Sequence, residues 1–271
     1  MQFESHAPLK HHRQQATDVT SAEKTGDIAA QKGGMTFGPL FSGRVLHVSR
    51  VGYLGGAERV LLTIATCSRQ FGAEPVVVSP PGEVQDLARA EGLAACPISA
   101  AHLRVTSNPF LLVRYYLELR TVQKEVMALC RAQAVDVIHA HHPLGALYCK
   151  EAVRELGIPL VLHLHEGLPA KSLYLRALRQ AARLASRVVS VSSVGLELLR
   201  LAGADASRAV VIRNGIDLAQ VLNAAEPRAF EVRGEGPHVG VFGVVERRKG
   251  HHVLLRAAAE FLQREPNAQF W

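Results

Sequence analysis

Residues 47–65 read HVSRVGYLGGAERVLLTIA, and the order of elements in this stretch sets the fold. A run from Arg44 to Ser49 has the make-up of a strand, and a turn carrying Gly52, Gly55 and Gly56 follows. An amphipathic helix then begins at Ala57. Strand, glycine turn and helix are the opening of a βα unit. Such a turn has two uses. Free backbone N–H groups and the helix dipole favour an anion such as a phosphate, but glycines are equally the tightest route from strand back into helix. The spacing in GYLGG is not GxGxxG, and no GK[ST] follows, which excludes a Walker A loop. The turn alone leaves both uses open.

Working outward, short β-branched runs alternate with longer amphipathic ones. Strands are expected at 44–49, 75–79, 135–140, 159–164, 187–192 and 209–213, and helices at 57–71, 83–91, 109–133, 144–156, 172–185 and 194–202. Most of the strands are apolar on both faces, as in a parallel sheet covered by helices. The alternation predicts a doubly wound α/β layer over residues 41–217. Residues 1–40 are polar and without period, and are expected to form a disordered extension, with Met35 as an alternative start. An irregular stretch over 218–236, with Pro227, Gly234 and Gly236, has the composition of a linker. A new strand is expected at 238–242 (HVGVF), then the turn GVVERRKG, a helix at 250–264 and a strand starting in AQFW. One strand, one helix and a stub enclose no core of their own, so residues 237–271 read as the first βα unit of a second α/β domain.

Composition narrows the class. Of the 271 residues, 48% are hydrophobic and 20% charged, which fits a folded α/β protein. No run approaches the roughly 20 apolar residues of a membrane-spanning helix, and the start lacks a secretory pattern. The expected location is the cytoplasm. Cys67, Cys96, Cys130 and Cys149 lie far apart with no CxxC pair, so reduced thiols are expected rather than disulfides or structural zinc. The net charge of +7 favours an anionic partner. Aromatic residues, at 6%, are not interleaved with the basic ones, which argues against a nucleic-acid stacking platform.

Three further clusters carry chemistry. VIHAHHP places His139 and His141 on one side of a strand, and VLHLHEG does the same for His163 and His165, followed by Glu166. Ligands in open α/β sheets bind at the C-terminal strand ends, which favours His165 as the chemically active member. Imidazoles and a carboxylate can converge on a metal, but the expectation is no metal, with His163 donating to a backbone carbonyl in a buried strand. The turn VFGVVERRKG sets Arg247, Arg248 and Lys249 at a helix start, suited to a diphosphate or equally to solvent. Residues 169–187 carry Lys171, Arg176, Arg179, Arg183 and Arg187 without an acid. That helix can rest on anionic lipid at the inner face of a membrane, or cap the sheet with Leu175, Leu178 and Leu184.

Taken in order, GGAERVLL, VDVIHAHHPLGALYCKEAVRELGIPLVLHLHE, RVVSVSSVGLELL, VVIRNGID and FGVVERRKGHHVLLRA resemble the retaining glycosyltransferases of family 4, over residues 44–271. The resemblance implies the GT-B fold of two facing Rossmann-like domains, the first on the acceptor side and the second binding the donor. It implies that Gly55 and Gly56 lie near a donor diphosphate, and that His165 stands beside the transferred sugar. Arg248 and Lys249 would meet the leaving diphosphate, where negative charge collects as the sugar becomes oxocarbenium-like. His141, Glu166 and Asn214 fall on the acceptor side of the cleft. No cofactor or metal is implied.

Two departures from the pattern stand out. Val244 occupies a position where the family often has arginine, and the paired glutamates of the family, separated by seven residues, would fall beyond Trp271. Glu83 and Glu91 share that spacing but lie on a helix of the first domain. The resulting expectation is a truncated hexosyltransferase using a nucleotide sugar and a lipid-linked or saccharide acceptor of a cell-surface polymer, with this chain inactive alone. The rival readings are a non-catalytic module docking on a membrane or a partner, and a sugar-nucleotide epimerase.

Overall fold

The computed structural model describes residues 40–101, 108–165, 172–216 and 236–271, together with Leu218 and Leu222. The expected extension falls almost entirely outside the described residues, as do most of the linker, Lys171 and Glu166. The chain divides into two compact units, Met1–Asn214 and Gly215–Trp271.

The first unit is a seven-stranded parallel sheet. Its strands are β1 (Gly43–Val48), β2 (Ala73–Ser79), β3 (Ala94–Pro97), β4 (Val137–Ala140), β5 (Leu160–Leu164), β6 (Arg187–Ser190) and β7 (Ala209–Val211). They lie in the order β3-β2-β1-β4-β5-β6-β7, the Rossmann order, whose direction of winding reverses between β1 and β4. The helices are α1 (Gly56–Ser68), α2 (Glu83–Ala90), α3 (Pro109–Ala132), α4 (Pro143–Tyr148), α5 (Lys150–Leu156), α6 (Ser172–Leu184) and α7 (Ser193–Leu201). The Rossmann-like parallel sheet expected from the alternation is present.

Side chains alternate across the sheet, so even and odd positions serve different faces. Leu46, Val48, Ile138, Ala140, Leu160 and Leu162 pack with residues of α3 to α7 in the larger core. On the opposite face Val77 packs with Leu61 and Leu62 of α1 and with Val84 and Ala88 of α2. His47 is in register with Val77 on one side and His139 on the other, so this second face changes from apolar to histidine-lined at β1. The basic stretch resolves as a cap on the sheet: Leu178 of α6 is buried in the core, while Arg176, Arg179 and Arg183 are exposed.

Two elements differ from expectation. β3 has no β-branched residue, and pairing with β2 rather than intrinsic preference makes it a strand; its Pro97 is tolerated at the sheet edge. The helix expected over 144–156 is broken at Cys149, whose N–H bonds the Ala146 carbonyl at 3.1 Å and tightens the turn. All four cysteines are free, and Cys130 and Cys149 are buried. Burial pushes the Cys130 thiol up to about 12, which makes it inert. Among the described residues no helix is long and apolar enough to cross a membrane.

The second unit holds β8 (His238–Val239), a 3-10 turn (Arg247–Lys249), α8 (His251–Phe261) and β9 (Gln269–Phe270), with β8 and β9 parallel. It is one βαβ unit, with a first strand shorter than the sequence suggests.

Candidate functional site

The glycine turn separates into two functions. A Cβ on Gly52 would lie 2.3 Å from the Pro81 carbonyl oxygen, and the Val84 N–H bonds the Gly52 carbonyl at 3.0 Å. Gly52 is therefore the residue that the packing requires to be glycine. A Cβ on Gly56 would meet nothing within 4 Å, and one on Gly55 would meet the Glu58 carboxylate at 2.8 Å and the Tyr53 ring at 3.9 Å. Gly55 caps α1 without a side chain, and the space in front of the helix is open at Gly56 while the Glu58 carboxylate lies beside Gly55. The turn is not wholly cationic in character. Glu58 takes a hydrogen bond from the Ser49 hydroxyl at 3.2 Å, and Glu83 accepts from the Leu54 N–H at 2.9 Å. Glu58 is not a candidate from sequence, and Glu83 enters there only through its chance spacing with Glu91; the contacts of both depend on partners in other elements.

The histidines form one row across β1, β4 and β5. His47 Nδ1 lies 3.3 Å from His141 Nε2, and His141 Nδ1 lies 3.0 Å from His165 Nε2. His139 Nε2 lies 3.2 Å from His163 Nδ1. The His163 and His165 rings stack with centroids 4.0 Å apart. His163 thus meets another imidazole and not the carbonyl expected of it; period-two spacing on two paired strands brings the rings face to face before any carbonyl is reached. His47 was not singled out from sequence, because only the register of β1 against β4 places it beside His139.

Burial keeps these rings neutral. It lowers His47 and His163 to about 4, and lowers His165 to about 3 with help from His163. His139 and His141 are held well below the usual range, first by burial and then by their histidine neighbours. His142 caps α4 by accepting the Leu144 N–H on Nδ1 at 3.0 Å; burial, then Arg50 and His165, lower it to about 3. Two triads, His47–His139–His141 and His141–His163–His165, each offer three ring nitrogens within 4.8 Å of one another, the donor type suited to a zinc-class ion.

The structure therefore brings His141 and His165 together near the C-terminal ends of β4 and β5. Asn214 is exposed after β7. In the second unit, Arg247, Arg248 and Lys249 form the 3-10 turn, which ends at Gly250 with φ of 77°. Lys249 is exposed, and the side chain of Arg248 lies outside the described residues. Arg247, with His251, His252, Arg256 and Glu246, lines a cavity of about 380 Å³. Arg256 lies one turn into α8 from His252, a helical proximity that a motif centred on ERRKG does not reach.

Residues 54–220 match the model of Glycosyltransferase Family 4. The D-inositol 3-phosphate glycosyltransferase of Pseudarthrobacter chlorophenolicus is 30% identical over 171 residues, which are 55% of this chain and 40% of that protein. The chain thus spans well under half the length of this relative. Two solved structures share the fold. Anabaena HepE in complex with UDP and glucose has a TM-score of 0.60 and 24% identity, over 84% of this chain and 60% of HepE. Sucrose-phosphate synthase of Thermosynechococcus elongatus has a TM-score of 0.63 and 15% identity, over 85% of this chain and 61% of the synthase. The family match covers more than half of the sequence, including the α1 turn and the histidine strands, and the chain belongs to Glycosyltransferase Family 4.

Proposed function

We propose that the protein containing this chain transfers a hexose from a nucleotide sugar to a lipid-linked or saccharide acceptor in the synthesis of a cell-surface polysaccharide or glycolipid, at the inner face of the membrane. The family match over residues 54–220 carries the reading. A UDP-sugar donor is favoured by the UDP and glucose bound to HepE, and a phosphorylated polyol or sugar acceptor by the name of the bacterial relative.

In this reading the N-terminus of α1, at Gly55 and Gly56, offers amides to the diphosphate. Lys249 and Arg248 compensate the charge that develops on the leaving group. His165 faces the sugar as a neutral imidazole, since burial lowers it to about 3. A neutral ring offers a hydrogen bond beside a developing oxocarbenium ion without repelling it. His141 holds His165 in place through the 3.0 Å contact, and His141, Glu166 and Asn214 belong to the acceptor side. No cofactor enters.

This chain by itself is expected to turn over no nucleotide sugar, and a turnover abolished by Lys249→Ala would overturn that expectation. Turnover of a nucleotide sugar by the protein containing this chain supports the transferase, and its absence counts against it.

One observation favours a second reading, membrane or partner docking. On α3, Phe110 is 84% exposed, and Leu112, Val113, Tyr116 and Leu117 are each at least half exposed, a concentration of apolar surface that marks interaction sites. It lies on a different helix from the basic stretch of the sequence. Flotation with anionic vesicles, without any calorimetric signal for UDP-glucose, would favour docking over transfer.

A further inference from the structure

The histidine row contains more N–H groups than its hydrogen bonds can use. A neutral imidazole has one N–H and one lone pair. His165, His141 and His47 form a chain of two N···N contacts, so three N–H groups share two bonds. If the donors point from His47 toward His165, the His165 Nδ1–H is left over; if they point the other way, the His47 Nε2–H is left over. Both atoms are buried without a partner, and so is His163 Nε2. Leaving such a group unsatisfied is costly, about 1–3 kcal/mol in general, so a buried row of this kind calls for an explanation.

We propose that His141, His163 and His165, at the C-terminal ends of β4 and β5, bind one divalent transition-metal ion of the zinc class. The three rings each present a nitrogen within 4.8 Å of the other two. A tetrahedral ion with bonds of roughly 2.0–2.1 Å sets its ligands about 3.4 Å apart, so the 3.0 Å contact of His141 Nδ1 with His165 Nε2 has to open by a few tenths of an ångström and both rings have to turn until their lone pairs converge. An all-imidazole set selects zinc-class ions over magnesium or calcium, which prefer oxygen. Three protein ligands leave a fourth position for water or a ligand.

The neighbouring triad of His47, His139 and His141 has similar spacing. Only one of its members, His47, carries an unpartnered nitrogen, against two in the chosen triad. His165 is also the side chain assigned to the sugar, so ion and sugar would compete for it. Metal binding is read without any sugar, and its outcome leaves the transfer reading to its own tests.

The test is a Co²⁺ titration of the intact chain followed by visible absorption, with circular dichroism confirming the fold of each variant. One equivalent of Co²⁺ should give a d–d band that Zn²⁺ abolishes. His165→Gln and His163→Gln should each weaken binding by more than about tenfold, because even partners outside a ligand set typically matter by 10–100-fold. His47→Gln, which removes only a partner of His141, should weaken binding less than His165→Gln does. Where the buried His163→Gln fails to fold, the half-buried His165→Gln carries the test. Three results overturn the proposal: no band, a band unaffected by His165→Gln, or a band lost with His47→Gln but kept with His165→Gln.

Discussion

The two units are built from the same βα grammar and differ in what they bury. In the first, β1, β2, β4 and β5 sit in a sheet with side chains buried on both faces, and Leu46, Leu61, Leu160, Leu162 and Leu178 are fully enclosed. In the second, Ala258 and Ala268 are the only buried residues among those described, while Phe242, Val245 and Leu255 are 86%, 89% and 71% exposed. The contrast teaches that a βαβ unit can be written locally by turn and helix signals without the enclosed surface that stabilises it. Burial contributes about 25 cal/mol per Å² of apolar area, and two alanines supply little.

The comparison breaks most directly on dissection. Residues 1–214 should keep a cooperative thermal transition by circular dichroism, whereas residues 215–271 alone should show none. A cooperative transition of the smaller piece would show that its stability has another source.

Acid should sharpen the contrast next. Six histidines of the first unit, His47, His139, His141, His142, His163 and His165, have lowered values. A histidine neutral in the fold contributes stability above its ordinary value of about 6.5 and loses it as pH falls, because the unfolded chain then binds the proton that the fold refuses. Each withholds up to about 1.4 kcal/mol per pH unit, and together they give a dependence that no single leucine matches. Urea unfolding of residues 1–214 should weaken from pH 6.5 downward, levelling for His47 and His163 near 4. Flat stability over that range would mean the rings are charged or exposed.

Single side chains come third. Leu162→Ala should cost about 2–5 kcal/mol, and Leu255→Ala, at an exposed site, less than about 0.5 kcal/mol, both by urea unfolding of the whole chain. Within the first unit the two turn glycines should separate in the same way. Gly52→Ala, with its Cβ against the Pro81 carbonyl, should cost about 1–3 kcal/mol. Gly56→Ala, in open space at the start of α1, should leave stability unchanged or raised by up to about 1 kcal/mol. If Gly56→Ala proved as costly as Gly52→Ala, the turn would be packing and nothing more.

Much of this was legible from residues 44–213, where β-branched runs and amphipathic runs alternate clearly enough to give the parallel sheet. β3 was not, because AACP becomes a strand only through its pairing with Val76 to Ser79. The break at Cys149 was not, because the heptad-like apolar spacing continues through it. At the site, period two found four of the five stacked histidines. The fifth, His47, needed the register of β1 against β4, which is a tertiary fact. Glu58 was missed for the same reason, since its contact with Ser49 depends on how β1 meets α1; Arg256 was missed because the motif ERRKG stops one helical turn short of it.

The most direct test of the central claim is UDP-glucose turnover by the protein containing this chain, comparing wild type with Lys249→Ala and His165→Ala. The account predicts transfer whose kcat falls by about 10²-fold or more when Lys249 is removed, as for other lost transition-state donors, with a comparable loss for His165→Ala. Transfer that proceeds unchanged in both variants would contradict it.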